Sequence, residues 1–448
     1  MPGNSGNGKA NATGAAPRKN DEAWARVIDA LGLEDRIAAD GRALVTADEL
    51  KAASGGREPR LMAKIDHRGD LPKPFKRKSG NWGILPTRRG EYVIGVFDMF
   101  APFPDVDETS AEALRMPQDL ETVTFGPSLS ETAAINILQA SGTLGEFLGE
   151  EWLLHTIAGR MGTKDFDFVV GDADFRVSVD RAQIEIDAGF EGEGSIALIE
   201  AKREGAENFV VRQLYYPWRH WRDRCVKPVR PVYLIVGGTQ LRLIEFAFDE
   251  PGRYAPPRVV RDRRYSLVGR GWEVEGLAEI MARVPVGAEP TGVPFPQADR
   301  VDRVLEHVGY VAEGLDTADV ILEELEVDSR DIDYYMNAAI YLGFLRRAGR
   351  KRWELTDAGR GLVAEKPEDM SFRVAEAILG RRIFREALVG ASESGETLGT
   401  RGDVAGRLAE VAASRVGGDT LRRRAGTVLS WVRWLRETEA AARGQGAG

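Results

Sequence analysis

The chain has one cysteine, Cys225, in 448 residues, which excludes a disulfide framework and any cysteine-built zinc site. Its four histidines, His67, His155, His220 and His307, stand far apart and form no HExxH pair, which excludes a zinc-protease helix. No apolar run reaches the ~18 residues a membrane span needs. The opening segment, MPGNSGNGKANATGAAPRKN, lacks the apolar stretch of a secretory signal. The expectation is a cytoplasmic protein with no membrane partner. Internal repeats of fixed period are missing too. Positive charge is in short supply: the net charge of −9 excludes a uniformly basic nucleic-acid coat.

What is present is an ordinary globular mixture, 43% hydrophobic and 29% charged. At ~150 residues per domain the length calls for about three domains. The charge is uneven. Ten Lys/Arg face three Asp/Glu between Arg57 and Gly90, and eight face three between Ala201 and Pro231. Screening confines each patch to ~8–10 Å, so basic patches on an acidic chain still bind polyanions. Solvated surface is the other use of the same charges.

Residues 1–20 read as a disordered tail. Gly3, Gly8 and Lys9 there match GxxxxGK, but Ala10 stands where a phosphate loop needs a hydroxyl, which excludes that site. Residues 21–125 read as an α+β module. Ala23, Val27, Ile28 and Leu31 recur at helical spacing, and Thr46 to Glu49 carries capping chemistry for a second helix. A basic hairpin follows, with Lys76, Arg77 and Lys78 on a loop as DNA-binding candidates; a plain packing domain fits the same pattern.

Residues 126–285 alternate differently. Thr143–Met161 reads as an amphipathic helix, then 166–170, 175–179, 182–190 and 196–202 as a meander of strands. Asn208–Asp223 reads as a helix, and 231–236 and 241–248 as further strands, giving a mixed α/β sheet. Prolines 285, 290, 294 and 296 mark residues 286–299 as a linker. Residues 300–366 read as three helices and a strand, and 367–448 as mainly helical, ending in a helix over Thr420–Glu437.

The chemistry concentrates in two adjacent strands. Gln183, Glu185 and Asp187 share one strand face, and Glu200 and Lys202 share another. If Glu193-Gly194 forms a two-residue hairpin loop, Asp187 lies across from Glu200 and Glu185 across from Lys202. Facing Cβ atoms in such a pair are ~4.5–5.5 Å apart, close enough for two carboxylates to share one cation. Oxygen ligands without His or Cys suit Mg²⁺, which takes one or two carboxylates plus waters and substrate phosphate. A neighbouring lysine can orient the attacking water and stabilise charge on the transition state.

Asp187, Glu200-Ala201-Lys202 on the next strand and a following helix with Gln213 resemble the PD-(D/E)XK nuclease superfamily, most of all its type II restriction endonuclease-like members. The resemblance covers about residues 140–250, and no proline precedes Asp187 as the family's motif has it. It implies a restriction-endonuclease-like mixed sheet and a Mg²⁺-dependent enzyme cutting double-stranded DNA. It implies Asp187, Glu200 and Lys202 as catalytic residues and Asp187 and Glu200 as metal ligands, with Glu185 the rival for first ligand. A symmetric cut of both strands implies a homodimer. The competing functions are a DNA-repair or anti-phage nuclease with the same core, and a DNA-binding regulator using the hairpin as scaffold. A solvent-facing hairpin with a Glu185–Lys202 ion pair would carry the same letters. Gly159-Arg160 reads either as a phosphate contact or as a helix cap, and Gln213, Tyr215 and Tyr216 either support the site or pack the core.

Residues 300–366 resemble a winged helix-turn-helix, with Arg346, Arg347, Arg350, Lys351 and Arg352 at the wing. Arg350, Lys351 and Arg352 are then DNA-backbone contacts. A protein-binding winged helix is the alternative. Arg422, Arg423 and Arg424 crowd the start of the last helix, where the dipole disfavours cations; this points to a phosphate partner and a possible second helix-turn-helix. Trp431 and Trp434 read as core.

Overall fold

The structure is a computed structural model that describes residues 19–55, 65–105, 111–116, 129–171, 175–203, 207–325, 329–393, 402, 404–406 and 418–444. The GxxxxGK match and nearly all of the expected tail lie outside them. Lys19 and Asn20 belong to the first helix.

The chain starts with α1 (Lys19–Ala30) and α2 (Leu33–Asp40), parted by Gly32 at φ 57. Then come β1 (Arg42–Thr46), α3 (Ala47–Ala53), β2 (Trp82–Arg88) and β3 (Glu91–Val96). The capping chemistry forms as the sequence predicts: Glu49 N–H donates to Thr46 Oγ1 at 3.2 Å, and Thr46 N–H donates to Glu49 Oε2 at 2.7 Å. The strands make a small antiparallel sheet in the order β1-β3-β2.

The central region adds β4 (Phe100–Pro102), β5 (Glu112–Leu114), α4 (Glu131–Ala140), α5 (Thr143–Leu148) and β6 (Leu154–Gly162). It continues with β7 (Phe166–Val170), β8 (Phe175–Val179), β9 (Gln183–Glu191), β10 (Ile196–Arg203), β11 (Asn208–Val210) and α6 (Arg212–Arg222). It closes with β12 (Val229–Gly237), β13 (Gln240–Ala247), β14 (Arg253–Tyr254) and β15 (Arg258–Leu267). A seven-stranded mixed sheet runs β5-β15-β13-β12-β10-β9-β6, with β10 and β12 parallel and β9 antiparallel to β10. α4 and α5 cover one face through Ile137, Leu138 and Phe147. On the other side one apolar core runs from Trp24, Phe75 and Trp82 to Tyr215, Tyr216 and Tyr233. The fold is mixed α/β, as the sequence predicts.

Three sequence expectations need correction. Thr143–Met161 is not one helix: Gly149 at φ 69 ends α5, and the rest is the edge strand β6, paired with β9. The expected four-strand meander is broken, because β7 and β8 leave the main sheet and join β14. Asn208–Val210 is a strand pairing with β4, so the helix starts only at Arg212.

Beyond α7 (Arg270–Val274) and α8 (Leu277–Arg283), the chain runs without helix or named strand, through one turn at Gly292, until α9 (Val301–Ala312). α10 (Ala318–Leu325) and α11 (Ser329–Leu342) follow, then a hairpin of β16 (Leu345–Gly349) and β17 (Arg352–Leu355), with Thr317 bridging Arg352. α12 (Asp357–Ala364), α13 (Pro367–Leu379), α14 (Arg382–Glu393) and α15 (Gly418–Ala442) complete the described elements. Trp431 and Trp434 are buried among them. Among the described residues no helix is long and apolar enough to cross a membrane.

Candidate active site

The β9–β10 hairpin adopts the register its loop dictates. Gly192 N–H donates to Ser195 O at 2.9 Å, and the ladder runs from Glu191↔Ile196 to Ala188↔Ile199. One step further, Asp187 meets Glu200, but there the backbone pairing gives way to a side chain: Ala201 N–H donates to Asp187 Oδ2 at 2.8 Å. This bond fixes the Asp187 carboxylate beside β10. Its other oxygen accepts no hydrogen bond among the described residues.

Glu200 is buried, its side chain 8% exposed, and Lys202 Nζ lies 2.8 Å from its Oε1. Gln213, on the first turn of α6, donates from Nε2 to the same oxygen at 2.7 Å and to Asp66 Oδ1 at 3.2 Å. Gln213 Oε1 is buried without a partner, as is Arg212 Nε. Burial pushes the Glu200 carboxyl up to about 7, with the Asp187 charge adding to the rise and Lys202 opposing it. Burial alone would lower the Lys202 ammonium, but the carboxylates of Glu200, Glu131 and Asp187 together outweigh it and hold the group well above lysine's ordinary range.

Glu185 also lines the cleft onto which Asp187, Glu200 and Lys202 open. It pairs with Arg160 across the β6–β9 ladder at 3.0 Å, both side chains more than half exposed. The anticipated Glu185–Lys202 pair therefore does not form, because Lys202 turns to Glu200 on its own strand. Arg160 sits on a strand and not at a helix cap.

Asp187, Glu200 and Lys202 open onto a cleft of about 540 Å³ that Asp66, Arg88, Arg89, Arg160 and Arg212 also line. Arg88 pairs with Asp180 at 3.2 Å, while Arg89, at the β2–β3 turn, carries no ion pair among the described residues. The cleft thus sets the carboxylates of Asp66, Glu185, Asp187 and Glu200 among the arginines. Two groups escaped the sequence reading. Glu131, which opens α4, accepts from Arg203 N–H at 3.2 Å, and burial raises its carboxyl while Lys202 opposes and Asp187 adds to the rise. Asp66 arrives from the N-terminal region. Neither stands near the motif in sequence, so no local signal marked them.

Tyr215 and Tyr216 are fully buried and donate to Pro251 O at 2.8 Å and Pro86 O at 2.9 Å, so they pack the core. Lys76 and Lys78 are exposed on their loop and do not line the cleft. Arg77 is held by Glu34 at 2.7 Å and lies over the Trp82 ring at 4.7 Å. In the β16–β17 hairpin Arg346 pairs with Glu354 at 2.6 Å, Arg352 with Asp316 at 2.9 Å, and Arg347 donates to Asn337 at 2.9 Å. Arg350 and Lys351 form the tip and have no ion pair among the described residues.

The donor set fits a hard cation that takes few protein ligands. Asp187 and Glu200 repel each other and are oxygen-only, and the orphaned Gln213 Oε1 offers an acceptor for a bound water. Among the described residues no three His, Cys, Asp or Glu side chains are grouped to hold a metal ion, so most coordination positions would fall to water and substrate.

Three family models match the chain, each described as a domain of unknown function: DUF6996 over residues 21–94, DUF6997 over 95–266 and DUF7226 over 303–440. No curated protein and no solved structure matches it. The cleft takes Asp66, Arg88 and Arg89 from the first matched span and Asp187, Glu200, Lys202 and Gln213 from the second.

Proposed function

We propose that the protein is a metal-dependent deoxyribonuclease of restriction type, with a PD-(D/E)XK core and a winged helix-turn-helix over residues 300–366. The observation that carries this reading is the convergence of Asp187, Glu200, Lys202 and Gln213 in one cleft that arginines also line. Asp187 and Glu200 would hold Mg²⁺, which when bound lowers the pKa of a coordinated water and neutralises phosphate charge. Lys202 presents its ammonium where negative charge develops on the scissile phosphate. Arg89, Arg160 and Arg212 orient the backbone, since guanidinium forks match phosphate oxygens. Gln213 holds Glu200 and Lys202 in one arrangement.

Incubating plasmid with the protein in Mg²⁺ and in EDTA tests the reading. Cleavage in Mg²⁺ and none in EDTA is the expected result, with discrete bands for a restriction-type enzyme and smearing for a repair-type one. Intact plasmid in both would overturn it.

The hairpin tip gives a second expectation. Replacing Arg350 and Lys351 by alanine should weaken target and random DNA alike. It should lower the log K against log salt slope by up to about 1.8, at about 0.9 per phosphate contact. Adding Arg352→Ala should change the slope little, because Asp316 already occupies Arg352. Lys351 has φ 57, which alanine tolerates no worse, so backbone strain does not confound the comparison. Equal slopes for wild type and double variant would show that this hairpin does not face DNA.

A further inference from the structure

We infer that the cleft between α11 and α15 is a nucleotide-binding site, separate from the cleavage site and independent of that reading. The cleft has a volume of about 540 Å³, within the ~300–1,000 Å³ usual for small-molecule sites. Arg422, Arg423 and Arg433 line it from α15, and Tyr334 from α11, with Gln297 and Asp299 from the segment before α9.

The spacing is what makes a hollow. Gly426 and Ser430 lie between the arginines at one-turn intervals, so small side chains and three arginines line the same hollow. Several other arginines are taken: Arg230 by Glu245, Arg242 by Asp262, Arg346 by Glu354 and Arg352 by Asp316. Arg422, Arg423 and Arg433 have no ion pair among the described residues, although Asp and Glu outnumber Lys and Arg by 70 to 61. Three cations lining one hollow repel one another. α15 begins at Gly418, two residues before the start expected from the sequence, so Arg422 and Arg423 lie in its second turn and the helix dipole adds nothing to that repulsion. A phosphate removes the repulsion, and it matches the guanidinium fork.

The remaining lining selects a nucleotide over a bare anion. Tyr334 is 38% exposed, enough to offer its ring to a base. Asp299, whose Oδ1 accepts from the Tyr335 hydroxyl at 3.2 Å, gives a carboxylate that can accept from a sugar hydroxyl or an exocyclic amine. Gln297 adds both a donor and an acceptor. The same chemistry is met by a free nucleotide and by one unit of a nucleic-acid strand.

Calorimetric titration of the full chain in EDTA, so that no cleavage intervenes, tests the site with AMP, ATP, pyrophosphate and an eight-residue oligo-dT. At least AMP and ATP, or the oligo-dT, should bind wild type. Arg423→Ala/Arg433→Ala should weaken that binding about tenfold or more. Tyr334→Ala should weaken the base-bearing probes and spare pyrophosphate. Binding of the mononucleotides identifies a free nucleotide as the ligand; binding of oligo-dT alone identifies a strand. If the double alanine variant does not fold, Arg433→Gln, at an exposed position, serves with the same expected direction. Affinities unchanged in the arginine variants, or no binding of any probe by folded wild type, would overturn the site.

Discussion

Alanine at Asp187 or Lys202 is expected to slow DNA cleavage by about 10²–10³-fold or more while leaving DNA binding nearly intact. The two losses have different causes. On the proposed reading Asp187 would supply negative charge for the metal, and it accepts from Ala201 N–H at 2.8 Å, so Asp187→Asn is the sharper variant: it keeps an acceptor there and removes the charge. Lys202 lies 2.8 Å from Glu200, and its loss removes the cation expected to face the scissile phosphate. Glu185→Ala should remain active, because Glu185 pairs only with the exposed Arg160, a contact worth about 0–1 kcal/mol. Single-turnover cleavage of a plasmid, with binding measured separately in EDTA, decides the matter. An inactive Glu185→Ala enzyme beside an active Asp187→Asn enzyme would move the first ligand to Glu185. Full-rate cleavage by Lys202→Ala would remove Lys202 from the site.

The parts of this site that were legible in the sequence are those set by short-range geometry. A Glu-Gly loop between two strands fixes which residues oppose each other, and the two-residue period of a strand then assigns their faces. Asp187 and Glu200 could therefore be paired from the letters alone. Lys202 could be placed on the right strand but not given the right partner. Its side chain chose Glu200 over Glu185 because β9 and β10 stop pairing beyond Ile199, which no local pattern encodes.

Partners far away in the chain were likewise unreadable. Asp66 and Arg89 reach the cleft from the N-terminal region, Arg89 through the β2–β3 turn, while Glu131 reaches Arg203 N–H beside the site strand and Glu34 reaches Arg77. Strand β15 was hidden for another reason: Arg258 to Arg264 is so rich in charge that alternation is lost, although its ladder to β13 is long. Thr143–Met161 misled because its apolar residues suit a helix, and only Gly149 marks the break.

Removing one partner of the Arg230–Glu245 pair should cost about 3–5 kcal/mol of stability. Arg230 Nε and Nη2 donate to the two Glu245 oxygens at 2.7 Å each, and Nη1 donates to Leu148 O at 2.6 Å. The Glu245 side chain is only 7% exposed, so Arg230→Met leaves a carboxylate out of water without its two-pronged partner. The pair also ties the end of α5 to β12, the parallel neighbour of the strand that carries Glu200 and Lys202. Arg230→Met should therefore lower the urea midpoint of the central sheet and reduce cleavage with it. In Arg230→Met/Glu245→Leu both charges are gone and apolar atoms fill the space, so most of the stability should return. Tryptophan fluorescence during urea unfolding, read for both single variants and the double, measures the coupling. If the double variant is as unstable as the sum of the two single changes, the pair does not act as a unit, and the stability of β12 rests on its apolar contacts alone.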